Sequence, residues 1–240
     1  MALSPTIIYP LTLPALLRYS LSTQTDSLPT RLVICSSKEA FLLSLAGALQ
    51  LQDTQDQPQS RPLQFAAPTL YNLLTARHVQ VTFCASVQIL LAYFTSLKPT
   101  APSNKLEGNG KLGPSERIIL VNPLHLHAST SAFSAQGLSR TFAAAVESGL
   151  RVHAQLIVAE SQGGSTQPHS PREHEHENED DHIGNRQPQV QPEDPWEQEV
   201  SILNVSTRKF GDRPWAGRTV KVKRIARRWF RFHKLDDLDL

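Results

Sequence analysis

The segment that most constrains the fold is Arg117 to Pro123, which reads Arg-Ile-Ile-Leu-Val-Asn-Pro. Its four consecutive apolar residues, three of them β-branched, follow a stretch rich in Gly, Pro and Ser and end at the polar Asn122. A short apolar run without alternation is typical of a strand buried on both faces of a parallel sheet. Parallel strands need crossover connections, so the rest of the chain should alternate strands with helices.

That alternation recurs along the chain. Arg31 to Cys35 and His78 to Cys84 are predicted strands, and each precedes a serine that can cap a helix with apolar residues at helical spacing. A helix from Thr130 to Ser148, ending at Gly149, and a strand from Val152 to Ala159 extend the series. The sequence therefore predicts an α/β fold with a mostly parallel sheet and helices on both faces.

Composition divides the 240 residues into four segments. Residues 1 to 28 are an N-terminal segment for which we predict only a weak helix near Leu13 to Leu21. Residues 29 to 160 form the predicted core, and residues 161 to 195 form an acidic linker too poor in apolar residues to order itself. Residues 196 to 235 are predicted to complete the core as an antiparallel extension at the sheet edge, built from Glu199 to Val205, Thr219 to Lys223 and Trp229 to Phe232.

The net charge of +2 conceals a strong segregation of charge. The linker is acidic, whereas Arg208 to Lys234 is basic and contains a single acidic residue, Asp212. Six basic residues of this block are predicted to bind nucleic acid or an acidic partner: Lys221, Lys223, Arg224, Arg227, Arg228 and Arg231. The interleaved aromatic residues could stack on bases or could instead fill the core, and the core is the favoured interpretation.

Other classes of site find little support in the sequence. Cys35 and Cys84 are predicted to be buried thiols in a reducing compartment, and no apolar run reaches the roughly 20 residues that a membrane span needs. His169, His174, His176 and His182 alternate with Glu in the linker, where a flexible chain cannot fix a metal's geometry. We therefore predict neither a metal site nor a cofactor.

Nucleotide chemistry would need a phosphate loop, and none is recognisable. The glycines from Gly108 to Gly113 have the required spacing, but Pro114 stands where the lysine should be. Asn122 follows the central strand where an Asp would help to hold magnesium. His125 and His127 lie just beyond, where α/β sheets place ligands, and remain an alternative catalytic pair.

The chain resembles the RecA-like recombinase paralogs, in particular the small divergent fungal ones that partner a SWIM-domain protein in Shu-type recombination complexes. The resemblance lies in Arg31 to Phe41, in His78 to Cys84 with its helix, in Ile118 to Asn122 at the Walker B place, and in Arg218 to Phe232. It implies a P-loop-NTPase-type sheet, a nuclear location and partners among other recombinase paralogs or SWIM-domain proteins.

The chain departs from the family at its ATPase residues, so the resemblance implies no catalytic residue and no bound nucleotide. Walker A is not found, and Asn122 replaces the Walker B acid. The resulting hypothesis is a non-catalytic subunit of a homologous-recombination complex that acts as a scaffold and contacts single-stranded DNA. The alternatives are a degenerate RecA-like subunit of another complex, such as an Elongator-like one acting on transfer RNA, and an α/β enzyme that uses His125 and His127.

Overall fold

A six-stranded sheet in which every neighbouring pair is parallel forms the centre of the computed structural model of this protein. The structure describes residues 4–25, 28–54, 69–98, 114–162, 194–202 and 218–235. Within these residues the strands are β1 (Thr6–Leu11), β2 (Thr30–Ile34), β3 (Val79–Phe83), β4 (Glu116–Val121), β5 (Ala154–Ser161), β6 (Glu199–Ser201), β7 (Thr219–Lys221) and β8 (Arg231–Lys234). The order across the main sheet is β3-β2-β4-β5-β1-β8, and β6 and β7 form a separate antiparallel pair.

Helices cover both faces of the sheet, as the sequence predicts. They are α1 (Leu13–Ser22), α2 (Lys38–Thr54), α3 (Leu70–Ala76), α4 (Val87–Ser96), α5 (Pro123–Ala128), α6 (Ala135–Arg151) and α7 (Val222–Ala226), with a 3-10 turn at Pro195–Glu197. The turns that follow β2 and β3 end at Ser37 and Ser86, and each serine caps the next helix. Ser37 Oγ accepts from the Ala40 N–H, and Ser86 Oγ accepts from the Ile89 N–H.

Strand β4 is buried along its whole length and separates two hydrophobic cores. Ile118 and Leu120 pack on one face with residues of α4, α6 and α7, whereas Ile119 and Val121 pack on the other with residues of α1 and α2. The period of two along a strand explains the division, because successive side chains point to opposite faces. The predicted α/β class with a mostly parallel sheet is therefore confirmed.

The N-terminal segment contains a strand that the sequence interpretation missed. The predicted helix exists as α1, but β1 precedes it and lies inside the sheet between β5 and β8. Ile7 and Ile8 are fully buried, so the packed core begins well before residue 29. Pro10 is exposed and lies where the pairing with β5 shifts register, between Ile8 and Leu11, which is a position that tolerates proline.

The C-terminal extension also differs from its prediction. The antiparallel pair is present, but it does not lengthen the main sheet, and its second strand ends at Lys221, so Val222 and Lys223, predicted as strand, begin the helix α7. The strand that does occupy the sheet edge, β8, runs parallel to β1. A parallel edge strand follows from the crossover through α7, since a helix between two strands can return the chain in the same direction.

Smaller corrections concern the region after β4. Residues 123–128, predicted as a loop, form α5, and the next helix begins at Ala135 behind the cap Ser134. Gly149 lies inside α6 and packs against Leu156 rather than ending the helix. Residues 163–193 of the linker, with their histidines, and residues 99–113 lie outside the described residues, as do 203–217.

Candidate anion-binding surface

The turns at the carboxyl edge of the sheet are where an α/β protein would hold a nucleotide. Among the described residues, the turns that lead from β1, β2, β3 and β4 into their helices contain no glycine. Two of these turns are single residues: Asn122 between β4 and α5, and Thr12 between β1 and α1, whose side chain accepts from the Ala15 N–H. These turns lack the glycine-rich backbone that wraps phosphates.

Asn122 takes part in holding the ends of β4 and β5 together. Its backbone has φ 57°, in the left-handed region that Asn tolerates better than most residues. Its N–H donates to the Ala159 carbonyl at 2.8 Å, and its Oδ1 accepts from the Ser161 N–H at 2.7 Å. The side chain thus continues the hydrogen bonding between the two strands beyond the end of β4.

Glu160 is a buried carboxyl beside Asn122 that the sequence interpretation did not single out. Its two oxygens accept from the backbone N–H groups of Leu124, at 3.0 Å, and His125, at 2.9 Å. Burial raises the pKa of Glu160 to about 8, against the opposing effect of these two hydrogen bonds. The group ties α5 to β5, and no local pattern marks it because its partners lie far away in the sequence.

The two candidate catalytic histidines occupy different environments. His127 is fully buried, with Nδ1 3.2 Å from the Ala132 carbonyl and Nε2 2.9 Å from Thr141 Oγ1. Burial lowers the pKa of His127, so the neutral ring is favoured. His125 is exposed on α5. Because both nitrogens of His127 are engaged inside the protein, the pair does not form a common site.

The six basic residues proposed for binding lie on α7 and its flanks, and we call them the basic surface: Lys221, Lys223, Arg224, Arg227, Arg228 and Arg231. Val222, Ile225 and Ala226 are buried, which is the i, i+3, i+4 spacing of a helix face and could have revealed α7 from the sequence. This burial turns Arg224 to solvent, and the following turn exposes Arg227 and Arg228.

The aromatic residues interleaved with the basic surface, Trp229, Phe230 and Phe232, pack in or against the core. Phe230 is buried and meets the Phe142 ring edge-on at 5.3 Å, and Trp196 is buried with its ring 5.5 Å from that of Phe232. Phe232 also packs edge-on against Tyr9 at 5.6 Å. The favoured interpretation of the aromatics as core residues therefore agrees with the geometry, and it leaves guanidinium and ammonium groups as the exposed chemistry.

Glu197 neutralises part of the basic surface. Its carboxylate lies 2.6 Å from Lys223 Nζ and 3.0 Å from Lys221 Nζ. Hydrogen bonds from Lys223 and then Lys221 lower the pKa of Glu197 to about 2. Together with Arg224 and Arg227 these three residues line an open depression of about 410 Å³.

The four arginines of the basic surface carry the positive charge that Glu197 does not neutralise. Within the described residues, none of the four forms a salt bridge with a carboxylate. Arg224, Arg227, Arg228 and Arg231 are all exposed. The site can therefore attract anions through guanidinium groups, which bind phosphate well.

No known family or curated protein matches this chain, so its function must be inferred from the fold and from the basic surface. A scan of protein-family models found no match to the chain, and a search of curated proteins found no significant match. In the described part of the chain, no helix is long and apolar enough to cross a membrane, and no three His, Cys, Asp or Glu residues are grouped to hold a metal.

Proposed function

We propose that the protein is a non-catalytic, RecA-like subunit of a nuclear complex for DNA repair by homologous recombination. It joins other recombinase paralogs or a SWIM-domain protein as a scaffold, and it contacts single-stranded DNA through its basic surface. The observation that carries the proposal is the set of exposed arginines on and beside α7 that have no carboxylate partner among the residues the structure describes.

Two features support the absence of nucleotide chemistry. The described turns that follow β1, β2, β3 and β4 contain no glycine and so offer no backbone cradle for phosphates. Asn122, at the place where a metal-binding acid is expected, uses its side-chain oxygen to accept from the Ser161 N–H. A group that closes the sheet in this way is a poor candidate for holding magnesium.

The chemistry of the surface favours contact with phosphates over contact with bases. Arginine and lysine neutralise backbone phosphates regardless of sequence, whereas reading bases in single strands relies on exposed aromatic rings. Phe230 is buried and Phe232 is packed between Tyr9 and Trp196. We therefore expect binding that is strongly dependent on salt and weakly dependent on base sequence.

The experiment is a fluorescence titration of a labelled mixed-sequence DNA strand with the full-length protein at several salt concentrations. Four phosphate contacts would give a slope of about −2.8 for log K against log salt, and hence about a 50-fold loss of affinity between 50 and 200 mM. Replacing Arg227, Arg228 and Arg231 by Ala should flatten the slope by about 2.

A matched variant controls for the loss of three positive charges. Lys38 begins α2, Arg77 follows α3 and Lys98 follows α4. All three are exposed, and replacing them by Ala should leave the slope nearly unchanged. Equal effects of the two triple variants would mean that binding follows net charge alone and would contradict a defined surface. Tighter binding of a folded transfer RNA than of the DNA strand would favour the Elongator-like alternative.

The proposal that the protein is non-catalytic is tested separately. The purified protein should show no ATP hydrolysis above that of a buffer blank. Hydrolysis that disappears in Asn122→Ala would refute the proposal. Affinity purification from cells tests the scaffold role, because the partners should be recombination proteins.

A further inference from the structure

The two edges of the main sheet differ in a way that points to an interaction. At one edge, β8 carries Arg231, His233 and Lys234, all exposed. At the other edge, β3 reads Val-Gln-Val-Thr-Phe, with no charge, no proline and an unbroken register against β2. Within the described residues, no strand pairs with the outer side of β3.

An edge strand presents unpaired N–H and C=O groups to any strand that approaches it. Proteins ordinarily protect such edges with charges, prolines, bulges or very short strands. Strand β8 has two of these devices, its basic residues and its length of four residues. Strand β3 has none of them, so its outer side is suited to accept another strand.

Exposed apolar side chains lie on β3 itself and on the helix that precedes it. Val81, in the middle of β3, is 50% exposed, while Val79 and Phe83 on either side pack against the core on the α1 and α2 face. The helix that leads into β3 exposes three leucines at 55% to 80%, namely Leu70, Leu73 and Leu74. The described residues contain nine exposed large apolar side chains. Besides the four just named, they include Leu42 and Leu43 of α2 and Ile89 of α4.

We propose that β3 pairs antiparallel with β3 of a second copy of this chain about a two-fold axis, making one continuous sheet. With Val81 opposite Val81, the axis sets Val79 opposite Phe83 and Gln80 opposite Thr82. Each cross-strand pair then joins apolar to apolar or polar to polar, and no like charges meet.

Charge and symmetry favour a second copy in this position. A strand that matches an uncharged edge of alternating apolar residues must itself be uncharged and alternating, and β3 meets that requirement. Head-to-tail pairing of β3 with β8 would set Arg231 and Lys234 against this neutral strand and would leave an open chain. A two-fold arrangement closes after two copies, as most soluble oligomers do.

Sedimentation of the full-length protein from below 1 to about 50 µM tests the pairing. The wild type should form a dimer, and Val81→Lys should weaken dimerisation by at least about tenfold because two ammonium groups would face each other across the axis. Position 81 is half exposed, so a lysine can reach water and the monomer should fold, as circular dichroism would verify. His233→Lys on the β8 edge is the control and should dimerise like the wild type.

A charge-pairing experiment makes the test specific for position 81. Val81→Lys and Val81→Glu should each be largely monomeric, and a mixture of the two should recover the dimer. A wild type that is monomeric at about 50 µM would overturn the proposal. So would a dimer that both single variants leave intact, since it would use another surface.

Discussion

Replacing Glu160 by Gln should flatten the pH dependence of the protein's stability above about pH 5. In the fold, the pKa of the Glu160 carboxyl is raised from 4.5 to about 8 because the group is buried. Between these two values the unfolded chain has released the proton and the folded chain still holds it. The folded state therefore binds more protons, and its stability falls as the pH rises through this range.

The size of the effect follows from the pKa. At about 1.36 kcal/mol for each pH unit, the interval from 4.5 to 8 corresponds to roughly 5 kcal/mol, with roughly 3 kcal/mol lost by pH 7. Glutamine cannot ionise, but its amide NH₂ would face one of the N–H groups of Leu124 and His125, at a cost of about 1–3 kcal/mol. The variant should be the less stable protein at pH 5 and the more stable one at pH 8.5.

Urea unfolding at pH 5, 6, 7 and 8.5 measures the free energy of unfolding of both proteins, and their difference isolates Glu160. His127, whose pKa is lowered by burial, contributes equally to both curves and cancels. Glu147→Gln, a surface change on α6, should give a curve parallel to the wild type. If wild type and Glu160→Gln differ by the same amount at every pH, or if the wild type gains stability relative to the variant as the pH rises, the pKa of Glu160 is not raised in the fold and the reasoning fails.

Two further predictions concern other parts of the molecule. Glu197→Gln should steepen the slope of log K against log salt for DNA binding by up to about 1.4, because it releases the two lysines that the carboxylate bridges. The control Glu199→Gln should leave the slope unchanged. Equal slopes for the two variants would mean that the Glu197 carboxylate does not compete with DNA for the lysines. Asn122→Ala should lower the free energy of unfolding by about 2–3 kcal/mol, since it removes the acceptor of the Ser161 N–H and places alanine in a left-handed conformation. Asn122→Gly should cost about 1 kcal/mol less, because glycine adopts that conformation without strain. Equal losses in urea unfolding would exclude a contribution from backbone strain.

The strands and helices that could be predicted from the sequence are those whose pattern of apolar residues is visible within a few neighbouring positions. The apolar run of β4 and the capped helices after β2 and β3 each show their burial within a few neighbouring residues. Strand β1 was missed because Pro10 is normally a sign against a strand, and only the register shift beside Ile8 and Leu11 makes room for it.

The candidate sites show the same division. The clustering of the basic residues could be predicted because they lie close together in the sequence, whereas the helical spacing of Val222, Ile225 and Ala226 was overlooked. Glu160 could not be predicted, because its role depends on two backbone N–H groups more than 30 residues earlier. A buried carboxyl with distant backbone partners leaves no trace in the neighbouring residues.

The region around Asn122 links the proposed absence of nucleotide chemistry to the stability of the fold. A metal-binding acid at the end of β4 must direct free oxygens away from the strands, whereas Asn122 directs its oxygen to the Ser161 N–H and continues the sheet. Glu160, one residue before Ser161, directs both of its oxygens to the start of α5. Asn122 Oδ1 and both oxygens of Glu160 are thus engaged in holding this edge together, which supports the proposed role in binding through the outer surfaces over a reaction at this edge.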